Sequence, residues 1–194
     1  MTPATLFYFI AAFTILAHLG IRLATVVRKA RRRRRGEIHQ RSLFGRMIGT
    51  YLVLFVLAAW EGWKGLVNVH WILCFAGYGL YLMSSFLQWK ALADLGVAYS
   101  PDIELRADQP LIQSGLYGWI RHPLLVGGVL ESIGMTLSLN APWTTGLSLL
   151  VFVPVIRQRW HEEEKALFAH FGESYRAYSE QVGAFFPKIA RVIR

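Results

Sequence analysis

The triplet Arg121-His122-Pro123 is the first of three polar groups whose residue types and spacing could do chemistry. Proline suits the first turn of a helix, because no backbone hydrogen bond is lost there. A helix that begins at Pro123 exposes free N–H groups and the positive end of its dipole at its start, where a carboxylate binds well. Taken alone, the triplet favours a simpler interpretation, an interfacial arginine at the start of a helix.

The second group is a run of three glutamates at 162–164, preceded by Arg159. Residues four apart share a face of a helix, so Arg159 is placed to pair with Glu163. A solvated pair of this kind contributes only about 0.3–0.5 kcal/mol. This run follows an apolar segment, however, so a carboxylate here could lie at the membrane surface and hydrogen-bond to ribose hydroxyls or meet an ammonium group.

Glu131 is the third candidate, because it lies inside an apolar segment. An ionisable group at membrane depth is costly and is a functional candidate by default. The alternative is a protonated carboxyl that is hydrogen-bonded to a neighbouring helix, and the residue alone does not decide between the two. His18 and Arg22 lie one turn apart in another apolar segment and are assigned no role, since Arg22 can extend to the interface.

Membrane helices must position these groups, because apolar residues make up 54% of the 194-residue chain and occur in long runs. A helix needs about 20 apolar residues to cross a bilayer. We predict an all-α integral membrane protein with about five transmembrane helices, at residues 6–27, 47–60, 71–89, 123–139 and 143–156. The fourth and fifth form a short hairpin at Asn140-Ala141-Pro142 that need not cross fully. An amphipathic helix follows at 157–182, broken or kinked at Gly172.

The positive charge predicts the orientation. The formal net charge is +9, and much of it lies at 28–46, which includes five consecutive arginines from Arg31 to Arg35. Such a cluster beside an apolar segment indicates a cytoplasmic flank, which places the N-terminus outside and the C-terminal tail inside. A nucleic-acid-binding arm is disfavoured, because no aromatic residues are interleaved with the arginines. Because the arginines follow the apolar run, we expect a membrane helix there and not a cleaved signal peptide.

Several other functional classes lack their sequence motifs. No GxGxxG follows a strand, which disfavours a soluble Rossmann-type methyltransferase, and neither HExxH nor a Walker-type phosphate loop occurs. The single cysteine, Cys74, excludes a disulfide framework and a CxxC-type zinc site within one chain. No metal site is predicted.

In order along the chain, the polar motifs resemble those of the isoprenylcysteine carboxyl methyltransferase family over about residues 94–188. The first half of the resemblance consists of Leu95-Gly96-Val97-Ala98-Tyr99-Ser100, Glu104, Leu111-Ile112-Gln113-Ser114-Gly115-Leu116-Tyr117 and Arg121-His122-Pro123. The second half consists of Arg159, Glu163-Glu164, Leu167, Phe171-Gly172, Tyr175, Tyr178, Val182 and Pro187. Phospholipid N-methyltransferases share the His-Pro and Glu-Glu elements, so the resemblance extends to a broader superfamily. Leu125 stands where the family usually has tyrosine, and Gln109 where it often has histidine.

The resemblance implies a pocket for S-adenosylmethionine at the cytoplasmic end of a helical domain. The implied cofactor-binding residues are Leu111, Ile112, Tyr117, His122, Pro123, Leu124, Leu125 and Glu163. Arg159 and Glu163 are implied to be catalytic, and Arg159 to face the methyl acceptor. Glu131 is a further candidate for contact with the acceptor, because it lies at membrane depth. The chain is expected to be one domain, with a helical membrane part at 1–90 and a cofactor-binding region at 91–194.

The expected activity is methyl transfer to a lipophilic or amphiphilic acceptor within the membrane lipid, and the carboxylate of a prenylcysteine-like group is the acceptor most resembled. Phospholipid amines, quinone-like lipids and small thiols remain open as acceptors. An NADPH-dependent membrane reductase is an alternative, because sterol reductases resemble the family in their C-terminal region. A non-catalytic membrane protein or small transporter is another, although the sequence has no broken-helix pair or inverted repeat.

Overall fold

The computed structural model describes residues 1–31, 37–40 and 42–188, with side chains for 1–25 and 43–188. Six α-helices dominate these ranges: α1 Pro3–Arg31, α2 Ser42–Lys64, α3 Trp71–Leu95, α4 Pro123–Ser138, α5 Pro142–Phe171 and α6 Glu173–Gln181. Within the described residues, α1, α2 and α3 are long and apolar enough to cross a membrane, and α4 is a shorter apolar helix. The predicted all-α membrane fold is confirmed, and all five apolar segments are helical.

The C-terminal helices differ from the prediction in their connection. The fifth apolar segment and the amphipathic tail form one continuous helix of 30 residues, α5, with Pro154 inside it. The predicted break at Gly172 is confirmed, since this residue has φ +52° and separates α5 from α6. A left-handed backbone conformation is accessible to glycine at little cost, which explains why the helix ends there.

A small antiparallel sheet was not predicted. Strand β1, Glu37–Gln40, pairs with β2, Ile103–Leu105. The strands join the segment after α1 to the loop before α4, and Ile103 and Leu105 pack against Leu43 and Ala166. Four of the five consecutive arginines, at 32–35, on which the predicted orientation partly rests, lie outside the described residues.

Helices α3 and α4 pack closely because glycines lie at their contact. A Cβ atom on Gly134 would lie 2.5 Å from the backbone nitrogen of Tyr81, and one on Gly77 would lie 2.6 Å from that of Ser138. Small residues allow membrane helices to approach at backbone distance. The antiparallel contact also places Gln88 of α3 beside Glu131 of α4, which are hydrogen-bonded at 2.6 Å.

The short connection between α4 and α5 is fixed by Asn140, which has φ 57°. Its side-chain amide donates to the carbonyl oxygens of Gly65 and Asn68 at 3.1 and 3.3 Å and accepts from the backbone N–H of His70 at 3.1 Å. This turn therefore anchors α4 at the end opposite to Pro123, where the candidate site lies.

Candidate active site

Glu164 lies at the centre of a hydrogen-bonded cluster at the start of α4. Arg121 Nε and Nη2 donate to its two carboxylate oxygens at 3.1 and 3.2 Å, and His122 Nε2 donates to Oε1 at 2.7 Å. The hydroxyl of Tyr175 also donates to Oε1, at 2.8 Å. One carboxylate thus joins the loop before α4 to both α5 and α6.

The surroundings of Glu164 keep it ionised. Burial alone would raise its pKa, but the hydrogen bonds from His122 and Tyr175 and the charge of Arg121 outweigh burial and lower the pKa from 4.5 to about 2. Burial, followed by the negative charge of Glu164, raises the pKa of the Tyr175 hydroxyl. Because an ionised carboxylate only accepts hydrogen bonds, Nε2 of His122 must carry a proton.

The structure contradicts the interpretation of Arg121 as an interfacial arginine. Its side chain is only 10% exposed, and its Nη1 donates to the carbonyl oxygens of Ser179 and Val182 in addition to the contacts with Glu164. The backbone adds a bond from the N–H of Arg121 to the carbonyl of Gly183 at 2.9 Å. Arg121 therefore holds the C-terminal segment against the start of α4. Its charge-assisted hydrogen bonds to protein groups take the place of hydrogen bonds to water.

A cavity opens beside this cluster, between α5, the start of α4 and the loops that lead to it. Seven of the eight predicted cofactor residues line it: Leu111, Ile112, Tyr117, His122, Leu124, Leu125 and Glu163. Pro123 does not line the cavity and is buried in the first turn of α4. The hydroxyl of Tyr117 and Oε1 of Gln109, both on this cavity, are buried without a hydrogen-bond partner among the described residues. A ligand with polar groups would satisfy them.

The two adjacent glutamates face different surroundings. Glu163 is 34% exposed on its side chain and lies on the cavity, whereas Glu164 is 15% exposed and lies within the cluster. Burial raises the pKa of the Tyr117 hydroxyl, and the negative charge of Glu163 raises it further. The cavity therefore presents the partly exposed carboxylate of Glu163 beside a phenol that stays protonated, and Asp102 and Glu104 also line it.

Arg159 borders the same cavity and is the predicted partner of Glu163. The pairing is confirmed, with 3.7 Å between Arg159 Nε and Glu163 Oε2. The residue is only 8% exposed, and its Nη1 is buried with no hydrogen-bond partner among the described residues. A buried guanidinium with an unused donor is a strong candidate site for an anionic oxygen.

A second cavity, mainly apolar, lies between α1, α2, α3, α4 and α5, and it shares Tyr99, Leu124, Leu125 and Arg159 with the first. Arg159 therefore stands where the two cavities meet. We refer to them as the polar cavity and the lateral cavity.

Glu131 lines the lateral cavity and not the polar one. Its Oε2 accepts from Arg22 Nη1 at 2.5 Å and from Gln88 Nε2 at 2.6 Å. Arg22 thus forms an ion pair inside the protein. The sequence had suggested instead that its side chain extends to the membrane interface. His18 hydrogen-bonds to Tyr81 at 2.8 Å, and its Nδ1 lies 3.5 Å from Glu131 Oε1.

The fold and these contacts define a mainly helical integral membrane protein in which a polar cavity adjoins an apolar cavity between the helices. Residues 77–169 match the model of the isoprenylcysteine carboxyl methyltransferase family. Protein-S-isoprenylcysteine O-methyltransferase of Tribolium castaneum is 31% identical over 127 residues, covering 64% of this chain and 45% of that protein. The human protein of the same name is 32% identical over 133 residues, covering 67% and 46%.

A solved structure of the eukaryotic intramembrane Ras methyltransferase of this family matches with a TM-score of 0.64 and 27% identity, covering 72% of this chain and 52% of that one. The chain spans about half the length of the curated relatives that it matches. The resemblance to the isoprenylcysteine carboxyl methyltransferase family that the sequence predicted is therefore confirmed, with residues 77–169 matching the family model.

Proposed function

We propose that this protein is a membrane methyltransferase that uses S-adenosylmethionine and methylates the carboxylate of a lipophilic or amphiphilic acceptor. A prenylcysteine-like group is the acceptor that the family most suggests, since the relatives are named for it. The observation that carries the proposal is the position of Arg159, a buried arginine with an unused donor at the junction of the polar and lateral cavities.

The polar cavity is the proposed cofactor site. Its apolar residues Leu111, Ile112, Leu124 and Leu125 would contact the adenine and the ribose, and Glu163 would accept hydrogen bonds from hydroxyl or ammonium groups. The unpartnered Tyr117 hydroxyl provides a further polar contact. S-adenosylmethionine, when bound, supplies an electrophilic methyl group on a positively charged sulfur.

The role proposed for Arg159 is to hold the acceptor carboxylate. The loose contact of its Nε with Glu163 leaves Nη1 free to donate, and a guanidinium binds carboxylates in a defined orientation. An ionised carboxylate needs no general base, so the site has only to position it and keep water away. The apolar walls of the lateral cavity would help to position the acceptor chain and to exclude water. Because Glu131 is bound by Arg22 and Gln88, it is poorly placed to remove a proton from an amine.

The cavity end of the bundle is proposed to face the cytoplasm. The polar cavity lies at the end where α4 begins, opposite to the Asn140 turn. The predicted basic segment leaves α1 at this same end, since Arg22 near the end of α1 contacts Glu131 while Tyr8 near its start contacts Ala59. A basic cytoplasmic flank would therefore place the N-terminus outside and the cofactor site inside.

The test is calorimetric binding of S-adenosylmethionine to the purified full chain. We expect saturable binding that Glu163→Gln weakens at least tenfold. Glu162→Gln is the matched control, because Glu162 pairs with Lys165 at 3.0 Å and does not line the polar cavity. Absence of binding to folded protein would contradict the proposal, and binding of NADPH instead would favour a membrane reductase.

A further inference from the structure

Gly128 leaves a gap in the wall that α4 presents to the lateral cavity. Four residues of α4 line this cavity: Leu124, Leu125, Gly128 and Glu131. Gly128 is three or four residues from each of the others, the spacing of neighbours on one face of a helix. Leu124 and Leu125 also line the polar cavity, whereas Gly128 and Glu131 do not. Along α4, the gap therefore lies just beyond the junction of the two cavities.

Helix packing does not require a glycine at this position. A Cβ atom on Gly128 would lie 3.8 Å from Cε1 of Phe152 and 3.9 Å from Cδ1 of Ile156, which are ordinary van der Waals distances. The adjacent Gly127 differs, since a Cβ atom there would overlap with the side chain of Gln88 on α3. Alanine is also a better helix former than glycine. The contact of α4 with α3 thus explains Gly127, whereas neither packing nor helix formation explains Gly128.

Helix α5 forms the wall beside the gap. Phe152 is buried and lines the lateral cavity, and Arg159 lies seven residues, or about two turns, further along the same helix. Arg159 borders both cavities, whereas Phe152 borders the lateral cavity and not the polar one. A chain whose carboxylate is held by Arg159 and which extends into the lateral cavity therefore runs past Gly128, beside the ring of Phe152.

We propose that Gly128 is a specificity-determining residue, whose missing side chain leaves the lateral cavity open to the hydrocarbon chain of the acceptor. The inference rests on the proposed function, because it takes Arg159 as the site of the carboxylate. Beyond Gly128 the chain meets apolar residues of α1, α2 and α3, such as Leu19, Met47 and Leu92. Long chains therefore bury apolar surface there that short chains do not reach.

The test compares N-acetyl-S-butylcysteine with N-acetyl-S-dodecylcysteine, which carry the same carboxylate and thioether and differ only in chain length. Their binding to the full chain in detergent is measured by calorimetry. We expect the wild type to bind the dodecyl compound at least about tenfold more tightly than the butyl compound. Gly128→Leu should reduce this preference by about tenfold, while its affinity for the butyl compound changes less than about threefold.

Two further variants show whether the added side chain acts by filling the cavity. Phe152→Ala in the Gly128→Leu background nearly conserves volume, because the leucine side chain can occupy the space that the ring leaves. We expect this double variant to recover most of the preference for the dodecyl compound. Gly128→Ala adds a methyl group that fits without movement, so it should fold and show a smaller loss in the same direction. It keeps the test decisive if Gly128→Leu does not fold.

Gly146→Leu is the matched control, because Gly146 lies exposed on α5 with nothing within 4 Å of its Cβ position, and it should keep the wild-type preference. An unchanged preference in Gly128→Leu, an equal loss for both compounds, or no recovery in the double variant would overturn the inference. Binding of S-adenosylmethionine is measured on the same preparations. A wild type that binds the cofactor but neither cysteine compound would overturn the inference alone, whereas failure to bind the cofactor would contradict the proposed function.

Discussion

His122 and Glu164, 42 residues apart in the chain, are joined by a 2.7 Å hydrogen bond that ties the start of α4 to the C-terminal part of the long helix α5. Glu163, the next residue towards the N-terminus, lies on the polar cavity instead. The two neighbouring carboxylates therefore have separate tasks: Glu164 holds the walls of the cavity together, and Glu163 is left to contact what enters it.

We predict that Glu164→Gln lowers the free energy of unfolding by about 2–3 kcal/mol, because a neutral amide satisfies the donors of Arg121, His122 and Tyr175 poorly. Glu163→Gln should change it by less than about 0.5 kcal/mol, as is usual for a partly exposed pair. Denaturant unfolding of both variants in detergent measures the difference. Equal stabilities would show that the cluster is not a structural support.

The comparison of wild type with Glu164→Gln also gives a pH prediction. The pKa of Glu164 is lowered from 4.5 to about 2 in the folded protein, so its ionised form stabilises the fold. This contribution is complete above the unfolded pKa and is lost as the pH falls through the folded pKa. The stability difference between wild type and Glu164→Gln should therefore be constant above about pH 5 and shrink between 4.5 and 2. Thermal unfolding across this range measures it, and a difference that grows on acidification would contradict the assignment.

The sequence predicted what depends on local pattern. Apolar runs located the helices, Gly172 located the break in the tail, and spacing identified the contact between Arg159 and Glu163. These features depend on residues that are close in the chain. The resemblance to known motifs assembled most of the polar cavity, although Pro123 serves the helix start instead.

What the sequence did not predict depends on contacts between distant elements. Consecutive helical residues point about 100° apart, so a glutamate run does not reveal which member faces Arg121. The contact of Arg22 with Glu131 crosses 109 residues, and no local pattern encodes it. The pairing of β1 with β2 likewise joins short segments that have no alternating pattern long enough to detect.

The close approach of α3 and α4 gives a further prediction. Gly134→Ala would place a methyl group 2.5 Å from the backbone nitrogen of Tyr81, which requires the helices to separate. We expect a loss of about 1–3 kcal/mol in the free energy of unfolding, as for overpacked cores. Gly79→Ala on the exposed side of α3 is the control, because nothing lies within 4 Å of its Cβ position. If the two variants were equally stable, the glycines would not be setting the distance between the helices.

Arg159→Lys separates acceptor binding from cofactor binding. Lysine keeps the positive charge but lacks the planar guanidinium, so it cannot place a donor where the unpartnered Nη1 lies between the two cavities. We expect the affinity for hexadecanoic acid, used as a carboxylate probe, to fall about tenfold, while the affinity for S-adenosylmethionine changes less than about twofold. Calorimetry with both ligands on one preparation measures the two effects, with Arg157→Lys as the exposed control. A parallel loss of both affinities would instead make Arg159 part of the cofactor site, and unchanged affinities would remove it from the acceptor site.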